Sequence, residues 1–388
     1  MEQRAIRRLL LALVASETVP AIPPLCPADW GQIDAMAAQH RLQPLLHLRH
    51  GASTDIPETI RQAWRAAHRA SAMSAMALHH ELLQVAALLD AQGLAPIALK
   101  GAWLAWQAYP EPALRPMRDL DLLLDAETVE QGFACLEQAG YTLGEPPEMP
   151  LADIVRLEKH LPPLVSPSGL RIELHHRLWE PDGRLDHGMP AAREAGVRQR
   201  AVRIGGVTYP APDDTLAHLI VHALYGHRLD CGPLVLSDLR YLVAATAIDW
   251  ATFWQGARAD GWASGAALLF ALADVRDVEI PADIPPPPTW LIEAAPDLLL
   301  QDLDTRQSAA AAAAVMAGGA GAALRRIGGR RGTDAGRSVQ RDMTSEGGFF
   351  GWAWSRLRRT AGDLSDRAVR RQSRDLARLS RWLEAGQR

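Results

Sequence analysis

Two segments carry most of the information in this chain: Leu99-Lys100-Gly101 and the later Arg115-Pro116-Met117-Arg118-Asp119-Leu120-Asp121-Leu122-Leu123-Leu124. The second segment ends in an apolar run typical of a strand, and successive side chains of a strand point to opposite faces of a sheet. Asp119 and Asp121 are therefore expected on one face, with Leu120 and Leu122 entering a core on the other. Two carboxylates on one face repel each other. A divalent cation such as Mg²⁺, which prefers hard oxygen ligands, removes that repulsion.

The composition is that of a folded globular protein. The chain has 388 residues, of which 48% are hydrophobic and 22% are charged. This supplies enough apolar surface for a core, and the length favours two or three packed units. The three cysteines, Cys26, Cys135 and Cys231, are too few and too far apart for a disulfide framework or a Cys-rich zinc site. They favour a reducing compartment, so we expect a cytoplasmic protein.

The N-terminus superficially resembles a secretory signal peptide, because basic residues precede the apolar run 9–15. That run is short and lacks a clean cleavage signature, Val14-Ala15-Ser16 being the nearest match, so we expect a helix instead. No run of about 18 uncharged apolar residues occurs, which predicts no transmembrane segment.

The order of elements around the two acids is predicted as strand, helix, strand, helix and hairpin. A short strand over 93–99 ends at Lys100-Gly101, and a helix over 102–109 is stopped by Pro110. The strand around 117–124 follows, then a helix over 127–138.

The hairpin contributes a third acid. Its strands are expected over 161–165 and 170–175, joined by a Ser-Pro-Ser-Gly turn. In the second strand Glu173 and His175 alternate with apolar residues, which places Glu173 on a polar face. If this strand lies beside the strand of Asp119 and Asp121, three acids meet at one place and could hold two magnesium ions.

These residues carry a family resemblance. Leu99-Lys100-Gly101, Tyr109-Pro110, Arg115-Pro116, Asp119-Leu120-Asp121-Leu122-Leu123 and Glu173-Leu174-His175-His176-Arg177-Leu178 resemble an uncharacterised nucleotidyltransferase family of the polymerase-β-like superfamily. Some members of that family are encoded with lasso-peptide biosynthesis genes. The resemblance covers roughly residues 42–242. It implies an α+β fold, with a small mixed β-sheet nucleotidyltransferase core flanked by N- and C-terminal helical regions.

The resemblance also implies a reaction. It is a Mg²⁺-dependent transfer of a nucleotidyl group from an NTP, ATP first, to a hydroxyl of a peptide, protein or small molecule, with peptide natural-product biosynthesis as one setting. Asp119, Asp121 and Glu173 would be catalytic and would hold two Mg²⁺ ions, with Mn²⁺ as a substitute. Glu173 would also take the proton of the attacking hydroxyl.

Further residues are expected to bind the nucleotide. Lys100 and Gly101 lie at a strand-to-helix junction, where backbone N–H groups attract phosphate. Arg115 and Arg118 would clamp phosphate oxygens, and His175 is expected to contact substrate. Many superfamily members have Gly or Ser after the glycine; here Ala102 follows Gly101, which removes a hydroxyl that can touch a phosphate.

Several alternatives stay open. The acids could be a solvated strand edge, and Glu173 could pair with Arg171. The chain could be a catalytically silent binding module with the nucleotidyltransferase fold, or a kinase-like phosphoryl-transfer enzyme on that fold. His218, His222 and His227 could form a transition-metal site, although a packed amphipathic helix explains them better.

The C-terminal part of the chain is basic. Residues 321–388 contain 16 Arg against 7 Asp and Glu, a balance of +9 in a chain of net charge −4, so residues 1–320 carry −13. We expect a basic helix that docks on the body or on an acidic partner. Nucleic acid is not favoured, because basic charge alone carries no sequence specificity.

The predicted regions are 1–88 (N-terminal helical), 89–180 (nucleotidyltransferase core), 181–283 (C-terminal helical), 284–349 (Pro/Ala/Gly-rich linker and low-complexity segment) and 350–388 (basic amphipathic helix).

Overall fold

Seven short strands form one mixed sheet in a computed structural model of the chain. The structure describes residues 1–15, 20–144, 147, 149–179, 191–301, 306, 309–310, 312–313 and 367–386. The strands are β1 (Ile97–Ala98), β2 (Asp119–Leu123), β3 (Thr142–Leu143), β4 (Leu164–Val165), β5 (Arg171–His175), β6 (Val202–Ile204) and β7 (Val207–Tyr209). Their order across the sheet is β3-β4-β5-β2-β1-β7-β6.

Helices surround this sheet. They are α1 (Gln3–Ala15), α2 (Pro27–Gln39), α3 (Gln43–His50), α4 (Glu58–Ala91), α5 (Gly101–Trp103), α6 (Val129–Gln138), α7 (Leu151–Leu157), α8 (Ala191–Arg200), α9 (Pro212–Val221), α10 (Leu234–Ala245), α11 (Trp250–Ala259), α12 (Ala263–Leu272), α13 (Thr289–Leu299) and α14 (Arg367–Ala385). The predicted α+β class, a mixed sheet flanked by helices, is confirmed. The division into five regions stays a prediction.

The strand that carries the acid pair is central in the sheet. β2 pairs with β5 in parallel, so Asp121 lies opposite Glu173 and Leu123 opposite His175. β1 lies antiparallel on the other side of β2. The expectation that the hairpin strand lies beside the acid strand is confirmed. Leu120 and Leu122 of β2 are fully buried in the hydrophobic core, and their burial stabilises the position of the strand.

The helix predicted over 102–109 differs from a regular α-helix. Its first turn, α5, passes into a π-helical turn over Leu104–Ala108, and α9 likewise passes into a π-helical turn over His222–Gly226. Such turns insert an extra residue into a helix and are frequent at functional sites. Both π-helical turns directly follow helices that contribute residues to the cavity described below.

One described helix, α4, is long and apolar enough to cross a membrane by length and composition. Its apolar edge, including Leu82, Val85 and Leu89, is fully buried and packs on the protein's own elements α3, α6 and β7. The carboxyl-bearing Glu81 on the same helix is buried as well. These contacts are those of a core helix.

The described part of the basic tail packs on the body. α14 contacts α13, and Leu376, Leu379 and Leu383 of α14 are buried. The Arg378 guanidinium lies 3.9 Å from the centre of the Trp290 ring. Residues 350–366 of the predicted helix lie outside the described residues.

Candidate metal and nucleotide site

A cavity of about 400 Å³ lies where the central strands face α9 and α10. It is lined by all eight residues that the sequence singled out: Lys100, Gly101, Arg115, Arg118, Asp119, Asp121, Glu173 and His175. The fold therefore brings together side chains that are up to 75 positions apart in sequence, Lys100 and His175 being the extremes. Their roles in catalysis and binding stay predictions.

The tightest group in the cavity is Asp121, Glu173 and His175. The His175 Nε2 atom lies 2.8 Å from Oδ1 of Asp121 and 3.8 Å from Oε2 of Glu173. One possible ligand atom from each residue lies within 4.8 Å of the others, close enough to hold one metal ion. This geometry follows from the strand register, because residues i and i+2 of β5 lie on the face that carries Asp121.

Lys100 adds a positive charge to this group. Its Nζ atom lies 3.3 Å from Oδ2 of Asp121. Its backbone has φ 46° and ψ −113°, a conformation that a residue with a Cβ rarely adopts. Strained backbone of this kind persists where surrounding contacts hold it, often at functional sites. The turn lets the chain leave β1 and enter α5 while the ammonium faces the acids.

The electrostatics of the acids are unequal. Burial raises the pKa of Asp119 to about 6, and the charges of Asp121 and Glu173 act in the same direction. Burial alone would also raise the pKa of Asp121, but the Lys100 ammonium and the His175 hydrogen bond hold that pKa well below its usual range. Burial opposes ionisation of Glu173 too, yet the neighbouring His175 imidazole, 3.8 Å away, brings its pKa to about 2. The cluster thus keeps concentrated negative charge at neutral pH, as a cation site requires.

Asp119 lies beside the compact group rather than inside it. It precedes Asp121 by two positions on β2 and lines the same cavity. Its predicted part in metal binding stays a prediction, and the structure adds His175 as the third member of the tight group. Within the described part of the chain, His218, His222 and His227 do not form a comparable group of ligand atoms.

The geometry agrees with a comparison of the sequence against known families. A family model described as "Uncharacterised nucleotidyltransferase" matches residues 27–276, more than half of the chain. The chain belongs to this family. A search of curated proteins finds no matching sequence. The matched range contains every residue that lines the cavity, so membership of a nucleotidyltransferase family and the acid cluster refer to the same part of the molecule.

Arg115 of this nucleotidyltransferase family member is held in a buried ion pair. Its Nε and Nη2 atoms donate to the two carboxylate oxygens of Asp238, each at 3.0 Å. The Tyr109 hydroxyl donates to the same carboxylate at 2.7 Å. Burial alone would lower the pKa of Arg115, but Asp238 reverses the effect and raises it. The third nitrogen, Nη1, donates to the Pro116 carbonyl at 3.4 Å. The predicted contact of Arg115 with a nucleotide stays a prediction, and all three of its nitrogens already have a partner within the protein.

The sequence reasoning missed part of the cavity wall. The additional polar residues there are Arg41, Lys159, His160, Cys231 and Asp238, and His222 and His227 line the cavity as well. One sequence signal pointed to Lys159: the chain's only two lysines are Lys100 and Lys159, and both line this cavity. Arg41 and Asp238 carried no local signal, because only the tertiary fold brings them to the site.

Proposed function

We propose that this protein is a metal-dependent nucleotidyltransferase that moves a nucleotidyl group from an NTP to a hydroxyl of a peptide, protein or small molecule. ATP is the first candidate donor. The observation that carries the proposal is the compact group of Asp121, Glu173 and His175, with Asp119 beside it, in one cavity of a nucleotidyltransferase family member. The setting that we propose is the cytoplasm, with peptide natural-product biosynthesis as one source of the acceptor.

The residues fit a divalent cation. Carboxylate oxygens are the ligands that Mg²⁺ prefers, and an imidazole nitrogen makes Mn²⁺ a suitable substitute. Asp121 and Glu173 would hold the ion, with Asp119 completing a site for two ions. A bound cation of this kind lowers the pKa of an attacking hydroxyl and neutralises charge on the phosphates.

Each protein group then has a task. The acceptor hydroxyl oxygen forms a bond to the α-phosphorus, its proton passes to Glu173, and pyrophosphate leaves as the bond to the β-phosphate oxygen breaks. Lys100 and Gly101 would bind phosphate at the start of α5, and Arg118 would add a charge-assisted hydrogen bond. His175 would position Asp121 through their 2.8 Å hydrogen bond.

Transfer of label from NTPs tests the proposal. Purified full-length protein is incubated with Mg²⁺ or Mn²⁺, candidate acceptors, and ATP labelled at the α- or the γ-phosphate. We expect the α-label to reach an acceptor, and Asp121→Asn to abolish the transfer. Asp125→Asn is the matched control, since Asp125 directly follows the acid strand but is largely exposed and pairs with Arg198.

Two other functions give different results in the same assay. Transfer of the γ-label would identify a kinase-like enzyme. Nucleotide binding without transfer would identify a catalytically silent module, which the alanine at position 102 favours because it supplies no hydroxyl for a phosphate. Activity that survives the combined Asp119→Ala and Asp121→Ala changes would refute the assignment of the acids.

A further inference from the structure

Helix α2 ends in an unusual residue. The Leu42 N–H donates to the Ala37 carbonyl at 2.8 Å, and the Arg41 N–H donates to the Ala38 carbonyl at 3.1 Å. This is the hydrogen-bond pattern of a Schellman motif, whose penultimate residue adopts the left-handed conformation. Arg41 has φ 58°. Glycine adopts this conformation at the least cost, and a residue with a Cβ is strained in it.

Three other helices of the chain end in the same way with glycine. Gly93 after α4, Gly140 after α6 and Gly261 after α11 have φ values of 73°, 92° and 74°, with the same pair of hydrogen bonds. None of these three glycines lines the cavity, whereas Arg41 does. Two residues with a Cβ, Arg41 and Asp274, occupy the same position after a helix with a positive φ, and of these two Arg41 lines the cavity. Backbone strain that is retained in this way points to a use for the side chain.

The Arg41 side chain lies against the segment that leads into β2. Its Nη1 atom donates to the Pro116 carbonyl at 3.2 Å, and Arg115 and Arg118 flank that residue on the same segment. All three arginines line the cavity. Burial, together with the charges of Arg118 and Arg115, lowers the pKa of Arg41 to about 10, although the charges of Asp119 and Asp238 act in the opposite direction. Three guanidinium groups therefore share one wall.

Only one of the three has an anionic partner. Arg115 is paired with Asp238, as described above. Among the described residues, no carboxylate lies within ion-pair distance of Arg41 or Arg118. Arg41 is half-buried, whereas Arg118 is exposed, and a half-buried positive charge such as that of Arg41 is costly without a compensating anion. The charges of Asp119 and Asp238 act on Arg41 from beyond ion-pair distance, so this wall can accept the negative charge of a ligand.

We propose that Arg41 and Arg118 form the subsite for the terminal phosphates of the nucleotide, so that the N-terminal helices help to select a triphosphate. The inference rests on the proposed function, since it assigns the polyphosphate tail of the donor. Arg118 is three positions from Asp121 and lines the same cavity, which places the subsite next to the compact group of Asp121, Glu173 and His175. Guanidinium groups suit this task because their fixed donors match phosphate oxygens.

Isothermal titration of inorganic tripolyphosphate into the full-length protein tests the subsite, with EDTA present to remove the metal contribution. Arg41→Gly should weaken binding by about tenfold or more, the effect of losing a charge-assisted hydrogen bond. AMP, which has no terminal phosphates, should bind both proteins equally. The variant should melt at the same temperature as the wild type or higher, because glycine relieves the backbone.

The chain offers a matched control. Asp274 ends α12 with the same hydrogen bonds and φ 51°, and it does not line the cavity. Asp274→Gly makes the same backbone change and should leave tripolyphosphate binding unaltered. Arg41→Lys keeps the positive charge and loses the paired N–H donors of the guanidinium group, so it should have an intermediate affinity for tripolyphosphate.

The outcomes separate the two proposals. Equal tripolyphosphate affinity of wild type and Arg41→Gly, or no binding by the wild type, overturns the subsite, while the label-transfer assay still decides the proposed function. A loss of tripolyphosphate affinity in Arg41→Gly, with AMP binding unchanged, supports the subsite even if no nucleotidyl transfer is found. In that case the proposed function would need a test with other acceptors.

Discussion

Replacing Asp238 with asparagine should lower the free energy of unfolding by about 3–5 kcal/mol, the cost of breaking a buried ion pair by removing one partner. The Asp238 side chain is 3% exposed and that of Arg115 is 15% exposed. Asparagine keeps the shape but removes the charge, so the guanidinium stays buried without its anion. The Tyr109 hydroxyl would lose a charged acceptor as well.

The size of each contribution can be separated with further variants. Tyr109→Phe removes one hydrogen bond to a charged group, which is worth about 1.5–3 kcal/mol. Combining Arg115→Met with Asp238→Leu removes both charges and leaves apolar groups of similar volume, a change that is often neutral or stabilising. The double variant should therefore be far more stable than the sum of its single changes implies.

Urea unfolding followed by tryptophan fluorescence measures these free energies. Asp283→Asn is the control, because Asp283 pairs with Arg258 at 2.6 Å but is 62% exposed, and exposed pairs contribute about 0–1 kcal/mol. A cost of less than about 1 kcal/mol for Asp238→Asn, or strict additivity in the double variant, would contradict the buried pair.

Three further predictions concern the metal, the pH and the tail. Asp121→Asn should weaken Mn²⁺ binding, measured by titration calorimetry, by about tenfold or more through loss of a charged ligand, while Asp125→Asn should not. Burial lowers the pKa of His40 from 6.5 to about 4, so the unfolded chain takes up a proton first as the pH falls. Stability should decrease between about pH 6.5 and 4, by up to about 3 kcal/mol from this group, and His40→Gln should flatten that decrease in urea unfolding. Leu379→Ala in α14 should cost about 2–5 kcal/mol because the side chain is fully buried, and an unchanged melting curve would contradict the docking of this helix.

The parts of the fold that were predictable from sequence rest on local patterns. The alternation of Asp and Leu in β2 and of Glu and His with apolar residues in β5 determines which side chains share a face. From that alternation the three acids could be predicted to lie close together. The observed parallel pairing of β2 with β5 does place Asp121 beside Glu173.

The remaining features depend on contacts between distant residues. The ion pair of Arg115 and Asp238 joins positions 123 apart in sequence, and no local sequence pattern predicts it. Lys100 and Arg41 both have a positive φ. Residues with a Cβ strongly prefer a negative φ, so the residue types alone predict a negative φ at both positions. His175 was expected to touch substrate, whereas its hydrogen bond to Asp121 depends on register, which a single strand does not reveal.

The parallel pairing of β2 with β5 also has a consequence for synthesis of the chain. One member of the compact group, Asp121, is made early, in β2, and the other two, Glu173 and His175, lie more than 50 positions later in β5. A nascent chain on the ribosome cannot gather these ligands until β5 has emerged, and Arg115 lacks its counter-charge until α10 follows. Capture of any cation by this group would therefore come late in biogenesis, because a chain stalled before residue 171 has Asp121 and its partner Lys100 but lacks Glu173 and His175.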